Sequence, residues 1–267
     1  FTALDKNTTA SHNTAVGNKA LNANTTAEYN TAVGSRALEQ NVTSAENTAV
    51  GYASLLVNTA ANNTGMGAYS LVNNTSGSAN TAVGKSALGA NTTGASNTGI
   101  GAFAGTSLTT GNNNVAVGDG SLSSATTARF QTAVGFQALK NQTTAQTGAV
   151  AVGYQCLFNS NGGDSFSYNT AVGTTCMYSL TTGRANSALG DQALYSVTNS
   201  ERNSALGQGA GYDITTGDDN LMLGYNAGKS SSPSGSITTG SGNVCLGNNS
   251  IQNLFCADTS ISSSDER

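Results

Sequence analysis

One five-residue phrase constrains this chain more than anything else in it: Asn-Thr-Ala-Val-Gly, first met at Asn13 to Gly17. Its glycine returns at Gly34, Gly51, Gly67, Gly84, Gly101, Gly118, Gly135, Gly153, Gly173, Gly190, Gly207, Gly224 and Gly247. The intervals are 16 to 18 residues, apart from one of 20 and one of 23. A period of that length belongs to repeat architectures, in which each unit buries its apolar surface against its neighbours. With 6% aromatic and 9% charged residues and no Trp, the composition does not suit an ordinary enzyme core. The aliphatic residues recurring inside the period separate the chain from disorder.

Counting from the repeat glycine turns each column into a physical statement. The residue just before it, from Val16 and Val33 to Leu223 and Leu246, is always aliphatic, and its expected place is the core. Four residues after the glycine stand Leu21, Leu38, Leu55 and their equivalents, a second core column, with Gly105, Gly211 and Gly228 as exceptions. Three residues after it only Ala, Ser or Cys occurs, which implies close approach by another backbone, either across the coil or from another subunit. Thr sits two positions before the aliphatic column, the alternation of a short β-strand. The Asn that opens each strand reads first as a turn residue, also able to bond along a ladder. A second polar corner, as at Asn24-Thr25-Thr26, then divides the repeat into two short extended segments and two corners.

A glycine in every unit and the absence of apolar spacings of three and four residues oppose helices. The expected fold is all-β: a parallel β-solenoid or β-roll of about 14 repeats with a period near 17 residues. Residues 13–247 form the repeat domain, 1–12 a lead-in or degenerate repeat, and 248–267 a cap or linker. Two large aliphatic side chains per coil make a thin core. Together with the small-residue column, this points to a homotrimer sharing one core.

Function is sought where the period breaks. The segment between Gly153 and Gly173 holds extra residues and three aromatics, Phe158, Phe166 and Tyr168, a candidate recognition loop. A second insertion, Ser230 to Ser236, reads as a flap. The four Cys lack metal-ligand spacing, and Cys156 and Cys176 occupy the small column of adjacent repeats as buried residues; a disulfide between them is geometrically demanding. His12 is the one imidazole and has no neighbouring acid, so no catalytic triad is indicated. Asp218-Asp219 reads as a turn rather than a calcium site, and the glycines do not form a phosphate loop. No catalytic residue, metal or cofactor is expected. A net charge of −4 with scattered Lys and Arg argues against nucleic acid, and no apolar run approaches the roughly 20 residues needed for membrane insertion.

The Asn-Thr-Ala-Val-Gly-x-x-Ala-Leu repeats, with the variant Ala104-Gly105-Thr106-Ser107-Leu108-Thr109-Thr110-Gly111 echoed at Ala210 to Gly217, resemble the β-solenoid shafts of bacteriophage tail fibres. They are also similar to the heads of trimeric autotransporter adhesins, whose coils are usually shorter. Ser262-Ser263-Ser264-Asp265-Glu266-Arg267 resembles the start of an endosialidase-type intramolecular chaperone domain, which assembles trimeric phage fibres and cuts itself off. That resemblance implies a self-cleavage junction between Ser264 and Asp265, a homotrimer, attachment to a host cell-surface glycan or protein, no cofactor, and a place in the virion. The alternative it leaves open is a bacterial surface adhesin or extracellular filament subunit. The stacked Thr column admits a third reading, an ice-binding solenoid.

Overall fold

The computed structural model describes residues 2–143, 147–161 and 167–252. Each repeat contributes one three-residue strand: β1 (Thr14–Val16), β2 (Thr31–Val33), β3 (Thr48–Val50), β4 (Thr64–Met66), β5 (Thr81–Val83), β6 (Thr98–Ile100), β7 (Val115–Val117), β8 (Thr132–Val134), β9 (Val150–Val152), β10 (Thr170–Val172), β11 (Ser187–Leu189), β12 (Ser204–Leu206), β13 (Leu221–Leu223) and β14 (Val244–Leu246). They form one parallel 14-stranded sheet in sequential order, with like columns in register, Thr14 on Thr31 and Val16 on Val33. The all-β solenoid is therefore present, and no helix occurs among the described residues. At a strand spacing near 4.8 Å, the stack rises about 60 Å from β1 to β14.

The side of the coil each strand residue faces reverses one expectation. The middle residue points inward, with Ala32, Ala49 and Ala82 fully buried. The aliphatic column expected in the core points outward, and Val16 is 59% exposed. Alternation allows only one of the two to face in, and beside a buried leucine of the arm the interior has no depth for valine; at β13, where the arm has Gly228 in place of that leucine, the middle residue is the buried Met222. Ser54 Oγ, from the small column, donates to Gly65 O at 3.0 Å across the coil and lies 2.8 Å from Ser70 Oγ. A Cβ on Gly65 would sit 2.5 Å from Ser54 Oγ, so the strand residue shrinks to glycine where serines face it. The small column is thus explained by the opposite wall of its own coil, without another subunit.

The second extended segment is also corrected. The residues following the glycine form a turn-rich arm lying across the coil from the strand. Along it, the residues two and four past the glycine are left-handed, as at Lys19 (φ 58°) and Leu21 (φ 49°), or Arg36 (φ 64°) and Leu38 (φ 50°). A strand would turn neighbouring side chains to opposite faces. This alternation instead sends both Ala20 and Leu21 inward, each fully buried. A non-glycine residue in this region costs about 1–2 kcal/mol, offset by burial of a leucine, worth about 1.5–3 kcal/mol. Hydrogen bonds between coils add to this, such as Leu21 N to Ala37 O at 3.0 Å and Arg36 N to Asn18 O at 2.8 Å. Where the Leu column lapses at Gly105, Gly211 and Gly228, the buried Leu108, Ile214 and Ile237 stand in for it.

The asparagines are interior ladders rather than turn residues. Left-handed backbone falls on the residue before each, as at Tyr29 (φ 59°) and Glu46 (φ 60°). Asn80, Asn97 and Asn114 are buried; Asn80 Oδ1 accepts the Asn97 backbone N–H at 2.9 Å, Asn97 Oδ1 that of Asn114 at 3.0 Å, and Asn114 Oδ1 that of Gln131 at 3.1 Å. Gln131 and Ala149 replace Asn before β8 and β9, and the ladder resumes from Asn169 to Asn186, Asn203, Asn220 and Asn243. The supposed polar corner is partly interior too: Asn24, Asn41, Asn58, Asn74 and Asn91 are all buried. Asn91 Nδ2 donates to Asn74 Oδ1 at 2.7 Å. At the start of the chain Leu4 N donates to Ala20 O at 3.0 Å, and Asn7 Oδ1 accepts from Asn24 Nδ2, placing residues 2–12 against the first coil.

Candidate functional site

The coil has two chemically different walls. The outer face of the sheet carries only two columns: the first strand residue, mostly Thr, and the aliphatic third residue. Neither column holds a charged residue in any of the 14 strands. At β11 and β12 the first residue becomes Ser and the third Leu, and the face dips into an apolar groove of about 280 Å³. Ala188 and Ala205 are only 3% and 5% exposed and floor it, with Leu189 and Leu206, each 50% exposed, on its wall.

The arm carries one of the three aromatic residues expected to form a recognition loop. Phe158 stands five residues past its glycine and stacks on Tyr178 with ring centroids 5.1 Å apart. The stack continues to Tyr195 and Tyr212 at 5.4 and 5.1 Å. Lysines close it at both ends, Lys140 Nζ 5.7 Å from the Phe158 ring and Lys229 Nζ 4.1 Å from Tyr212. Because each ring covers its neighbour's face, the ladder stiffens the arm and offers only ring edges to a ligand. Tyr168 lies elsewhere, in the lead-in to β10, exposed and left-handed (φ 43°), with its ring beside Gly148. Phe158 and Tyr168 therefore occupy different columns, and Phe166 lies outside the described residues, as do Ser264 and Asp265. The ladder was legible as a 17-residue recurrence of Tyr178, Tyr195 and Tyr212, a signal hidden by attention to the insertion.

One cluster of charged groups pairs within itself. Arg202 grips Asp219 through Nε at 2.7 Å and a second nitrogen at 3.0 Å, and reaches Glu201 at 2.8 Å; Glu201 in turn meets Arg184 at 2.8 Å. The hydrogen bond from Arg202 holds the Asp219 carboxyl below the usual range. Asp218 Oδ1 accepts the Glu201 backbone N–H at 2.8 Å. His12 stacks on Tyr29 with centroids 5.0 Å apart. Cys156 and Cys176 are free and fully buried, their sulfurs donating to Ala171 O at 3.2 Å and Ala188 O at 3.6 Å. Hydrogen bonding with Cys156, then burial, pushes the Cys176 thiol far up, so it stays protonated and unreactive. Among the described residues no group of three or more His, Cys, Asp and Glu converges on a metal position, and no helix is long and apolar enough to cross a membrane. No protein-family model matches the chain, and no curated protein matches it.

Proposed function

We propose that this chain is the shaft of a non-catalytic attachment fibre of a phage virion, working as a homotrimer that holds a receptor-binding surface toward a host cell-surface glycan or protein. The observation that carries the reading is the uncharged, partly exposed outer face running from β1 to β14. A rod acting alone in water has no use for an apolar stripe of that length, whereas a fibre built from several copies does. The commitment of buried asparagines to inter-coil ladders supports a role in rigidity and reach. The sequence resemblance supplies the virion setting.

The test combines sedimentation equilibrium with binding of the fluorescently labelled protein to a panel of bacterial cells and their extracted surface glycans. A trimer that binds one cell type saturably is the expected result. A monomer at micromolar concentration removes the trimeric fibre, and a trimer that binds no cell or glycan of the panel removes the attachment role.

A further inference from the structure

We propose that Cys156 and Cys176 are a cross-linking site, a thiol pair that a small-molecule disulfide such as oxidised glutathione converts into a staple across the one joint of the coil that the amide ladder skips. The site requires neither a trimer nor a receptor.

Three observations fall on the joint between the rungs of β9 and β10. The first is a missing bond. From β1 to β14 the side-chain oxygen of the Asn before each strand, or of Gln131 before β8, accepts the backbone N–H of the equivalent residue on the next rung at 2.9–3.2 Å. Among the described residues the one step without it runs from Ala149 to Asn169, because alanine has no acceptor to offer. The second is the 20-residue interval between Gly153 and Gly173, which lengthens the connection across that same joint. The third is the small column, which holds Ala or Ser on every other rung and Cys on these two alone. A solenoid rung is held only by its neighbours, so a joint short of one bond opens before the rest.

The geometry suits a bond. Rungs about 4.8 Å apart put the two Cα atoms inside the range of about 4.4–6.8 Å that a disulfide spans. Cys156 Sγ leans toward the rung of Cys176, donating to Ala171 O of β10 at 3.2 Å. Ser54 holds the same pose in the same column, on Gly65 O of the next strand, and that pose brings its Oγ to 2.8 Å from Ser70 Oγ. Both thiols are fully buried, so the closed coil shields them and reaction waits for the joint to open. In the open joint one cysteine, as thiolate, attacks a sulfur of the small disulfide; a protein–S–S bond forms, and the other half leaves and takes up a proton. The second cysteine loses its proton, attacks the protein-bound sulfur, forms the Cys156–Cys176 bond and expels the remaining half as a thiol. Two cysteines are oxidised and one small disulfide is reduced to two thiols. The product ties the two rungs together where the amide bond is missing.

The experiment treats the full chain with oxidised glutathione in urea below the unfolding transition. Mass spectrometry should show the loss of two hydrogens and a peptide joining Cys156 to Cys176, and Cys156→Ala/Cys176→Ala, which restores the residue most common in the column, should not respond. Hydrogen exchange reads the joint itself, because the Leu157 amide donates to Cys176 O across it and the Leu194 amide donates to Ala210 O at an intact joint. In the reduced chain Leu157 should exchange about fivefold faster than Leu194, the equivalent of one net hydrogen bond, and oxidation should slow it about tenfold or more. Ala149→Asn, which returns the missing acceptor, should slow cross-linking about fivefold. No reaction, a mixed disulfide that goes no further, or a link to another cysteine overturns the site. A cross-link that leaves Leu157 exchange unchanged overturns the staple. Leu157 exchanging no faster than Leu194 in the reduced chain, or a folded Ala149→Asn variant that oxidises at the parent rate, overturns the weak joint.

Discussion

Replacing Asn97 by Ala probes the interior ladder where its geometry is most complete. Its Oδ1 accepts the Asn114 backbone N–H at 3.0 Å and Asn114 Nδ2 at 2.9 Å, and its Nδ2 donates to Gly111 O at 2.8 Å. Asn114 Nδ2 keeps Ala128 O at 2.8 Å after the change, and Asn80 Oδ1 keeps the residue-97 backbone N–H at 2.9 Å. Two groups in the buried amide layer lose their partner, the Asn114 N–H and the Gly111 carbonyl. At about 1–3 kcal/mol for each, the loss should be about 2–6 kcal/mol. Asn97→Asp keeps the acceptor but turns a carboxylate oxygen toward Gly111 O. Burial raises such a carboxyl's folded pKa above its unfolded value near about 3.9. The neutral acid can still donate, so the variant should be closest to the parent below the unfolded pKa and lose stability as pH rises through the folded one. Urea unfolding gives the global value, and hydrogen exchange at the Asn114 amide gives the local one. The second matters because stacked repeats need not unfold in one step. An Asn97→Ala loss below about 1 kcal/mol, or unchanged exchange at Asn114, would refute the claim that the ladder supports the coil.

Further predictions follow from other columns. Gly84 has φ +131° and a Cβ there would lie 2.5 Å from Gly101 O, so Gly84→Ala should lower the thermal midpoint more than Ala82→Gly does, as read by circular dichroism. Tyr195 stacks on two rings, so Tyr195→Ala should cost about 1–3 kcal/mol from the two pairs and weaken the near-ultraviolet aromatic signal. Asp219 is held below the usual carboxyl range by Arg202, so its small surface contribution is present above the unfolded pKa and disappears as pH falls through the folded one. A carboxyl NMR titration should show the lowered midpoint moving upward in Arg202→Gln.

Much of the fold was legible because repetition exposes columns. The glycine recurrence sets the rung, the Thr-Ala-Val alternation sets the strand, and the invariance of Leu21, Leu38 and Leu55 marks the core. Even the arm left a trace: small and Leu columns adjacent in sequence cannot both face inward from a strand, and the left-handed residues at Lys19 and Leu21 are the backbone's answer. Less of the candidate site was legible. Phe158 and Tyr168 looked like one loop because they flank one insertion, but the coil places them in separate columns, and the aromatic partner of Phe158 is Tyr178 on the next rung.

By itself the sequence determined the period, the parallel stacking of like on like, and which columns hold one kind of residue. Only the tertiary structure decided which way each column faces. Hydrophobicity favoured Val33 over Ala32 for the interior, but the arm brings Ala37 and Leu38 into the same narrow space, and only the alanine of the strand fits beneath them. The valine is turned out, and the surface it forms with its neighbours exists because the coil is too thin to hold them.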